Sequence, residues 1–535
     1  MRKIYYAPIL VTAPDPWVCL QVTNIISALE KNVLPKLRSL ESSLRPINRL
    51  PKDVFVLIPL FLMGGEQDDQ FAMNKPLITM THVCRSWRST LISTPSLWTH
   101  IDFSTFESKQ AMGFLSRSWD QLLEVYQHLE NDEDMEPFRS TTLCNLYRLQ
   151  RLEITTLTPN LERVLMRRFT RPAPVLEHLQ INNDIEWTGS DMKLHNTIFE
   201  GHFPKLLSLT LHNFRMDFHT FNFPSLTRFT FKTKTETSAQ DLASFFELCG
   251  SLEFIKLSLT FTPQTPAPPP RERVRLAALK EVRFDKGASA CGLLDQLILP
   301  KCEEMMLKGQ FTDEEFDEHG RPAARIHPSS VDHLPLTRGI TKAVVMPRSC
   351  VLSGPNGCLR FWFSRGCRGN FDAGYFSSLS PISISEIEEL LVGNKNKLSS
   401  GVHKPWEQTA IRVRGAFEVL TQVEDLTIVN CETGPFFAAL GSTADSNVLL
   451  PELRRLTIYV GSGYLDVAAL IQCAGARFEH SRSLGEVTIV FEEQPKAGTI
   501  RKVESLGKFV GELNYRVGAI PELKWDSNLK DGDTC

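Results

Sequence analysis

The amino-acid sequence predicts an α/β protein in which a small all-helical N-terminal unit is followed by a long, irregular solenoid of short strands. Two patterns predict this class. Apolar residues between residues 20 and 103 recur at helical spacing, and from Leu149 onward a six-residue pattern, apolar-x-x-apolar-x-apolar, recurs along most of the chain. A chain of 535 residues is too long for one ordinary core. A solenoid avoids that limit, because each repeat buries its apolar face against its neighbours.

Composition and charge narrow the class of partner. With 42% hydrophobic and 23% charged residues, the chain has the composition of a folded globular protein. The formal net charge of -3 provides no whole-chain attraction for nucleic acid or for an anionic membrane. No stretch approaches the roughly 18 continuous apolar residues of a membrane span. We therefore expect neither nucleic acid nor membrane as a partner.

The residue types that carry catalysis or bind metals form no recognisable site. Twelve cysteines are scattered without a CxxC pair, and the sequence has no glycine-rich phosphate loop, GxSxG or HExxH motif. We therefore predict no enzyme activity, no cofactor and no metal. The scattered cysteines also favour a reducing compartment, so the expected location is the cytoplasm, the nucleus or both.

Residues 20–48 predict an amphipathic helix, because apolar residues recur every three or four positions from Ile25 to Leu44. Pro35 has no N–H to donate and should kink or divide this helix. Two interpretations of its apolar face remain open. The face packs on a neighbouring part of the same chain, or it binds a partner helix as in a coiled coil.

The next stretch, from Leu50 to Phe103, predicts a compact helical unit of about fifty residues. Pro51 suits the start of a helix and Asp53 favours its first turn. A second helical block begins at Lys75. A unit of this size cannot bury all of its apolar surface alone, so one face should bind a partner.

This stretch resembles an F-box, in the form abundant in fungal F-box proteins: it opens with LPKD, continues as an apolar helix and ends with VCRSWR and PSLW. The resemblance implies docking on the Skp adaptor, which connects F-box proteins to a cullin-based ubiquitin ligase. It also implies that Trp98 packs the box onto the residues that follow. By position in the motif, the residues implied to contact the adaptor are Leu50, Pro51, Val54, Ile58, Leu62, Val83, Cys84 and Trp87.

Pro59 departs from the family pattern, which usually has Phe after the residue equivalent to Ile58. A proline inside a helix removes a hydrogen bond and costs about 3 kcal/mol. The sequence therefore predicts that the first helix of the box kinks or starts anew at Pro59, with an effect on adaptor binding.

A further helix is predicted from the apolar stripe between Met112 and Tyr126, and the acidic run Glu130 to Glu136 predicts a linker. Beyond it, eleven copies of the six-residue pattern predict eleven strands, and two weaker copies begin at Ile340 and Cys358. The eleven copies begin at Leu149, Leu176, Leu206, Leu226, Leu252, Leu279, Cys302, Ile387, Val423, Leu453 and Leu484.

Most of these copies are 20 to 31 residues apart, close to the period of leucine-rich repeats. Alternate side chains of each strand should enter a shared core, while the intervening polar ones face the other side of the sheet. The period varies and no asparagine column is present. The prediction is therefore an irregular leucine-rich-repeat-like solenoid, a curved parallel sheet with outer helices and loops. A set of unrelated βα units is the alternative.

Together these elements predict a substrate-recognition subunit of a Skp–cullin–F-box ubiquitin ligase, whose repeats bind a protein target of unknown identity. The alternative is a ligase-independent interaction scaffold with a degenerate F-box. Residues 312–338 are predicted to be an insertion between repeats. The predicted segments are an N-terminal segment with an amphipathic helix (1–46), the F-box (47–103), a helical linker (104–140), the solenoid (141–502), a C-terminal capping helix (503–526) and a tail (527–535).

Overall fold

The computed structural model describes residues 16–63, 74–103, 108–129, 142–156, 169–183, 191–262, 273–309, 331–346, 349–363, 379, 382–393, 406–441, 448–461 and 465–521. It is a mixed α/β protein with a helical N-terminal part and a large, predominantly parallel sheet. The chain forms two compact units, Met1–Gln121 and Leu122–Cys535. None of the helices in these ranges is long and apolar enough to cross a membrane. The predicted linker at Glu130 to Glu136, the predicted tail and most of the predicted insertion lie outside the described residues.

Helices dominate the described part of the N-terminal unit. Its core contains Leu77, Leu91, Leu97 and Ile101, which are fully buried. The elements are α1 (Pro16–Ala28), a π-helical turn (Leu29–Val33), α2 (Leu34–Leu44), a 3-10 turn (Pro46–Arg49), α3 (Lys52–Met63), α4 (Lys75–Thr81), α5 (Arg85–Ile92), a 3-10 turn (Pro95–Trp98), the short strand β1 (His100–Asp102) and α6 (Ser108–Arg117).

The predicted helix of residues 20–48 is present, and it is divided just before Pro35 as expected. The Leu34 N–H bonds the carbonyl oxygen of Leu29, five residues back instead of four. Because Pro35 has no N–H, the regular hydrogen-bond ladder is interrupted at this point and the chain accommodates the gap with a π-helical turn.

Of the two outcomes predicted at Pro59, a kink or a new start of the first helix, the new start is wrong. Helix α3 is one helical element from Lys52 to Met63 with Pro59 inside it. Pro59 and Phe55 are the buried residues of this helix. Burial of the proline ring offsets part of the cost of the missing hydrogen bond, which explains why the helix continues.

The helix predicted between Met112 and Tyr126 is confirmed only as far as Arg117, where α6 ends. The rest of that stretch belongs to strand β2 (Leu123–Leu129). Buried and half-buried residues alternate along β2, which is the period of a strand. The spacing of Leu122, Leu123 and Tyr126 is compatible with a helix as well as a strand, and this ambiguity caused the error.

All eleven predicted repeat strands are present in the second unit, each starting within the six-residue pattern. Its strands after β2 are β3 (Leu149–Thr156), β4 (His178–Asn183), β5 (Met192–Leu194), β6 (Ser208–His212), β7 (Phe214–Met216), β8 (Arg228–Lys232), β9 (Phe254–Ser258), β10 (Val274–Arg275), β11 (Glu281–Phe284), β12 (Leu297–Ile298), β13 (Glu304–Gly309), β14 (Lys342–Met346), β15 (Ser349–Gly354), β16 (Gly357–Phe363), β17 (Glu389–Gly393), β18 (Asp425–Val429), β19 (Arg455–Val460), β20 (Leu484–Phe491) and β21 (Val510–Val517). Its helices are α7 (Ala239–Leu248), α8 (Gly287–Leu294), α9 (Trp406–Val419), α10 (Gly434–Leu440), α11 (Val467–Glu479) and α12 (Ala497–Glu504).

The repeat strands pair in parallel with a register that keeps equivalent positions side by side. Leu152 of β3 pairs with Leu179 of β4, which pairs with Leu209 of β6, and each is the fourth residue of its copy. The first, fourth and sixth positions of all eleven copies are buried. Stacking of these apolar columns forms the core of the unit, and the third and fifth positions lie on the opposite face, here called the open face.

The two weaker copies are also strands, but the sheet does not follow chain order there. Strand β16 pairs with β13, and β14 pairs with β17, while β15 runs antiparallel between β14 and β16. The order across this part of the sheet is therefore β13-β16-β15-β14-β17. The sequence predicted the strands that begin near Ile340 and Cys358, and the reversal of their order was not predicted.

Gly357 begins β16, where φ is 135°, a value that L-residues rarely adopt. A Cβ atom at this position would clash with the backbone oxygen of Glu303. We expect Gly357→Ala to lower the free energy of unfolding by about 2 kcal/mol in urea titrations, because the clash is with backbone. The control is Gly498→Ala in α12, where no heavy atom lies within 4 Å. Equal stability of the two variants would contradict the expectation.

The prediction that the C-terminal segment from Val503 forms a capping helix is wrong. Helix α12 ends at Glu504, and strand β21 follows and pairs in parallel with β20. Apolar Leu513 and Tyr515 alternate with polar residues, which is the two-residue period of a strand.

Candidate interaction surfaces

The residues predicted to dock on an adaptor lie on α3 and at the start of α5. Among the apolar ones, Leu50, Val54, Leu62 and Val83 are exposed large side chains. Pro51 is also exposed, and Ile58, Cys84 and Trp87 are half-buried. The structure therefore leaves all eight residues at least partly accessible, which a docking role requires.

Helix α3 separates its apolar side chains between two faces. Phe55 and Pro59 point into the unit, whereas Val54, Leu57 and Phe61 are exposed, with Phe61 83% exposed. Exposed apolar faces of this kind are typical of interaction sites. Leu57 and Phe61 are not among the residues predicted to dock on the adaptor.

Trp87 of α5 contacts both α3 and the 3-10 turn that precedes α3. Its ring packs edge-on against Phe55 with the centroids 4.8 Å apart, and its indole N–H donates to the side-chain oxygen of Asn48. The Trp87 backbone N–H bonds the Sγ atom of Cys84 at 3.5 Å, so Cys84 caps the start of α5. The Asn48 contact was not predicted, because a polar residue ahead of the motif gives no signal in the hydrophobic pattern.

A cleft of ≈ 610 Å³ lies beside Trp87. It brings together Val83, Cys84 and Trp87, three of the predicted docking residues, with Asn48 and Ile47. Charged side chains of α2 and the turn after it complete the lining, so the cleft has an apolar floor and a charged side. This arrangement suits a protein partner better than a small apolar molecule.

Trp98 packs against the residues that follow the box, as the F-box resemblance implies. Its ring contacts Phe114 of α6 edge-on with the centroids 4.7 Å apart, and the guanidinium of Arg117 lies 4.6 Å from the ring centroid. The indole N–H donates to the carbonyl oxygen of Leu91 at 2.9 Å. These contacts attach α6 to the rest of the N-terminal unit.

The open face of the large sheet is covered by polar side chains that bond across strands. Gln180 donates to Glu153 at 2.9 Å, and such contacts recur between neighbouring repeats. Ion pairs bridge strands in the same way, for example Arg360 to Glu304 at 3.1 Å and Lys342 to Glu389 at 2.8 Å. Most charged groups on this face are thus already compensated.

The open face around β8 and β9 differs from its surroundings. Phe254 is a buried aromatic residue at a position that is polar in most copies, and the guanidinium groups of Arg228 and Arg283 lie 4.3 Å and 5.7 Å from its ring centroid. Arg283 also pairs with Glu281. Among the described residues, neither Arg228 nor Lys232 has a carboxylate within ion-pair distance. Aromatic and arginine side chains are the usual anchors of protein interfaces.

The described residues contain no group of three or more His, Cys, Asp or Glu side chains that could hold a metal ion. Burial raises the pKa of five thiols to about 12, which keeps them protonated and poorly nucleophilic. These thiols belong to Cys249, Cys302, Cys350, Cys431 and Cys473.

No protein-family model and no curated protein matches this sequence. The candidate functional surfaces of the chain are the two described above, the apolar face of α3 with the start of α5, and the open face of the sheet.

Proposed function

We propose that the chain is a non-enzymatic substrate adaptor, in which an F-box-like N-terminal unit docks on the Skp adaptor of a cullin-based ubiquitin ligase. The sheet unit, an irregular leucine-rich-repeat-like array, binds the protein target. The observation that carries the proposal is the division of α3, where Val54 and Leu62 are exposed while Phe55 and Pro59 are buried. All eight residues that the F-box resemblance assigns to the adaptor are at least partly accessible.

Trp87 supports the same surface from within. Its contacts with Phe55 and Asn48 hold the start of α5 next to α3 and the turn before α3, and Val83 and Cys84 line the same cleft as Trp87. A rigid aromatic residue at the centre of an apolar surface is typical of a docking site.

For the target, we propose the open face around Phe254. Arg228 and Lys232 carry charges without a carboxylate partner among the described residues, and Phe254 holds Arg228 in place by a cation–π contact. Charges that are not compensated within the protein favour an acidic partner surface.

Val54→Glu tests the docking surface. We expect this change to weaken binding of the purified Skp adaptor about tenfold or more in calorimetric titrations, because it places a charge in the centre of an apolar contact. The matched control is Met112→Glu on α6, a position of similar exposure in the same unit (45% against 42%). Met112→Glu should bind the adaptor like the wild-type chain.

The alternative function, a ligase-independent scaffold, predicts a different result. The wild-type chain would then fail to bind the adaptor at micromolar concentration, or Val54→Glu would bind as well as the wild type. Either result would contradict the docking assignment. The continuity of α3 through Pro59 supports the ligase role over this alternative, since the proline lies on the buried side and away from Val54.

A further inference from the structure

The α1–α2 segment carries a row of seven apolar side chains, here called the apolar stripe. Each side chain of the stripe is 42% to 61% exposed although all seven are large and apolar. Successive members are three or four residues apart, which keeps them on one side of a helix. The stripe consists of Val22, Ile26, Leu29, Val33, Leu37, Leu40 and Leu44.

The intervals between successive residues of the apolar stripe are the same whether they are counted from its first or its last residue. From Val22 to Leu44 the intervals are 4, 3, 4, 4, 3 and 4 residues, with Val33 at the centre. Two antiparallel copies related by a twofold axis at Val33 would therefore place Leu29 of each opposite Leu37 of the other. The outer members would meet in the same way. This self-complementarity is what an isologous interface requires.

The exposed area is close to what a dimer needs. The seven side chains expose roughly 700 Å² on each chain, against the about 800 Å² that each partner contributes to an interface of standard size. An apolar surface of this extent is unfavourable in water and is normally covered.

The distribution of charge selects the antiparallel arrangement. Helix α1 has no charged residue and the turn after it carries Glu30 and Lys31, one of each sign, whereas α2 carries Lys36 and Arg38 with Glu41. A parallel pair would place the basic halves of the two copies side by side. An antiparallel pair places each basic half against a half without net charge, which avoids like-charge repulsion.

We propose that the chain forms an antiparallel homodimer through the apolar stripe, with Val33 on the twofold axis. The dimer presents two copies of the docking surface and two copies of the sheet unit. A target with two binding segments would then be held by both copies, and its dissociation would be slowed by the high effective concentration of the second site.

Sedimentation of the full chain at micromolar concentration tests the proposal, and a dimer is expected. Val33→Lys places two ammonium groups opposite each other at the twofold axis and should raise the dimer dissociation constant about tenfold or more. Asn32→Lys adds the same charge one residue away, off the stripe, and should leave the dimer intact. Unchanged circular dichroism and adaptor binding of Val33→Lys would show that the variant is folded.

Cross-linking tests the orientation. An equimolar mixture of Leu29→Cys and Leu37→Cys chains is oxidised, and the linked peptides are identified by mass spectrometry. The antiparallel dimer predicts disulfides between Cys at 29 and Cys at 37, because their backbones face each other within disulfide range. A monomeric wild-type chain, equal effects of the two lysine changes, or links only between identical positions would overturn the proposal. A monomer whose adaptor binding is weakened by Val33→Lys would also overturn it, because the adaptor would then be the partner of the stripe.

Discussion

Replacing Asp191 by alanine is expected to lower the free energy of unfolding by about 3–5 kcal/mol. Asp191 is 4% exposed, and one of its carboxylate oxygens accepts hydrogen bonds from the backbone N–H groups of Lys234 at 2.9 Å and Thr235 at 2.7 Å. The hydroxyls of Thr233 and Thr235 donate to the same oxygen. Removal of the carboxylate leaves these donors without their acceptor inside the protein, and each such loss costs about 1–3 kcal/mol.

Urea titration of the Asp191→Ala variant measures this loss. The control is Asp241→Asn, because the Asp241 carboxylate lies on the surface and pairs with His219 at 3.1 Å. An exposed pair contributes about 1 kcal/mol or less, so the control should be nearly as stable as the wild type. An Asp191→Ala variant as stable as the control would show that the loop after β8 does not depend on this carboxylate.

The same carboxylate should make the fold sensitive to acid. Burial on its own raises the pKa of Asp191, but the hydrogen bonds from Thr233, Thr235 and Lys234 outweigh burial and hold its pKa below the ordinary value. A group with a lowered folded-state pKa stabilises the protein above its unfolded pKa of about 3.9, and this contribution is lost as the pH falls through the folded value. The stability difference between wild type and Asp191→Asn should therefore be largest at neutral pH and shrink below about pH 4.

Arg477→Met is the second change with a large expected effect, about 3 kcal/mol of lost stability. Arg477 projects from α11 and is 1% exposed. Its guanidinium donates to the carbonyl oxygens of Leu449 at 2.8 Å and Leu450 at 3.0 Å. Leu450 has a positive φ of 47°, so the chain is held there in a conformation that leucine rarely adopts. Hydrogen bonds to a charged group contribute about 1.5–3 kcal/mol each, and burial of the charge reduces the net value.

Methionine fills a similar volume without hydrogen-bond donors, so thermal or urea unfolding of Arg477→Met measures mainly the lost bonds. Arg477→Lys should restore less than half of the loss, because one ammonium group cannot reproduce the fork of a guanidinium. Arg482→Met is the control, since Arg482 is exposed and pairs with Glu452 at 3.4 Å. Full stability of Arg477→Met would mean that the cost of burying the charge cancels its bonds to the turn.

The repeat strands could be predicted because each apolar position of the six-residue pattern is a buried position of the strand. The first, fourth and sixth positions of a copy such as Leu149, Leu152 and Ile154 are all buried, and nothing else in the chain produces that spacing so regularly. Strand β2 and strand β21 were missed although apolar residues are as frequent in them as in the repeat strands. The spacing of these residues also fits a helix until a neighbouring strand supplies hydrogen-bond partners.

The exposed residues of the candidate docking site were predicted from the sequence, but the contacts that support them from within were not. Val54 and Val83 follow from motif positions, and the structure leaves both accessible. The Asn48 contact to Trp87 and the inward position of Pro59 depend on how helices meet, which a sequence pattern along one helix does not contain. None of the described residues covers the apolar stripe, so of the two interpretations that the sequence left open its exposure favours a partner helix.

The reversed order of β14, β15 and β16 has a consequence for how the sheet unit assembles. In a regular array each repeat can add to the one before it, so structure propagates from neighbour to neighbour. Here β13 is extended not by β14, the next strand of the chain, but by β16, which comes three strands after β13. Within the described sheet, the two parallel runs are connected through the three-stranded antiparallel piece, so all three of its strands must be in place to join them. We expect this piece to be the point at which partial unfolding separates the two runs.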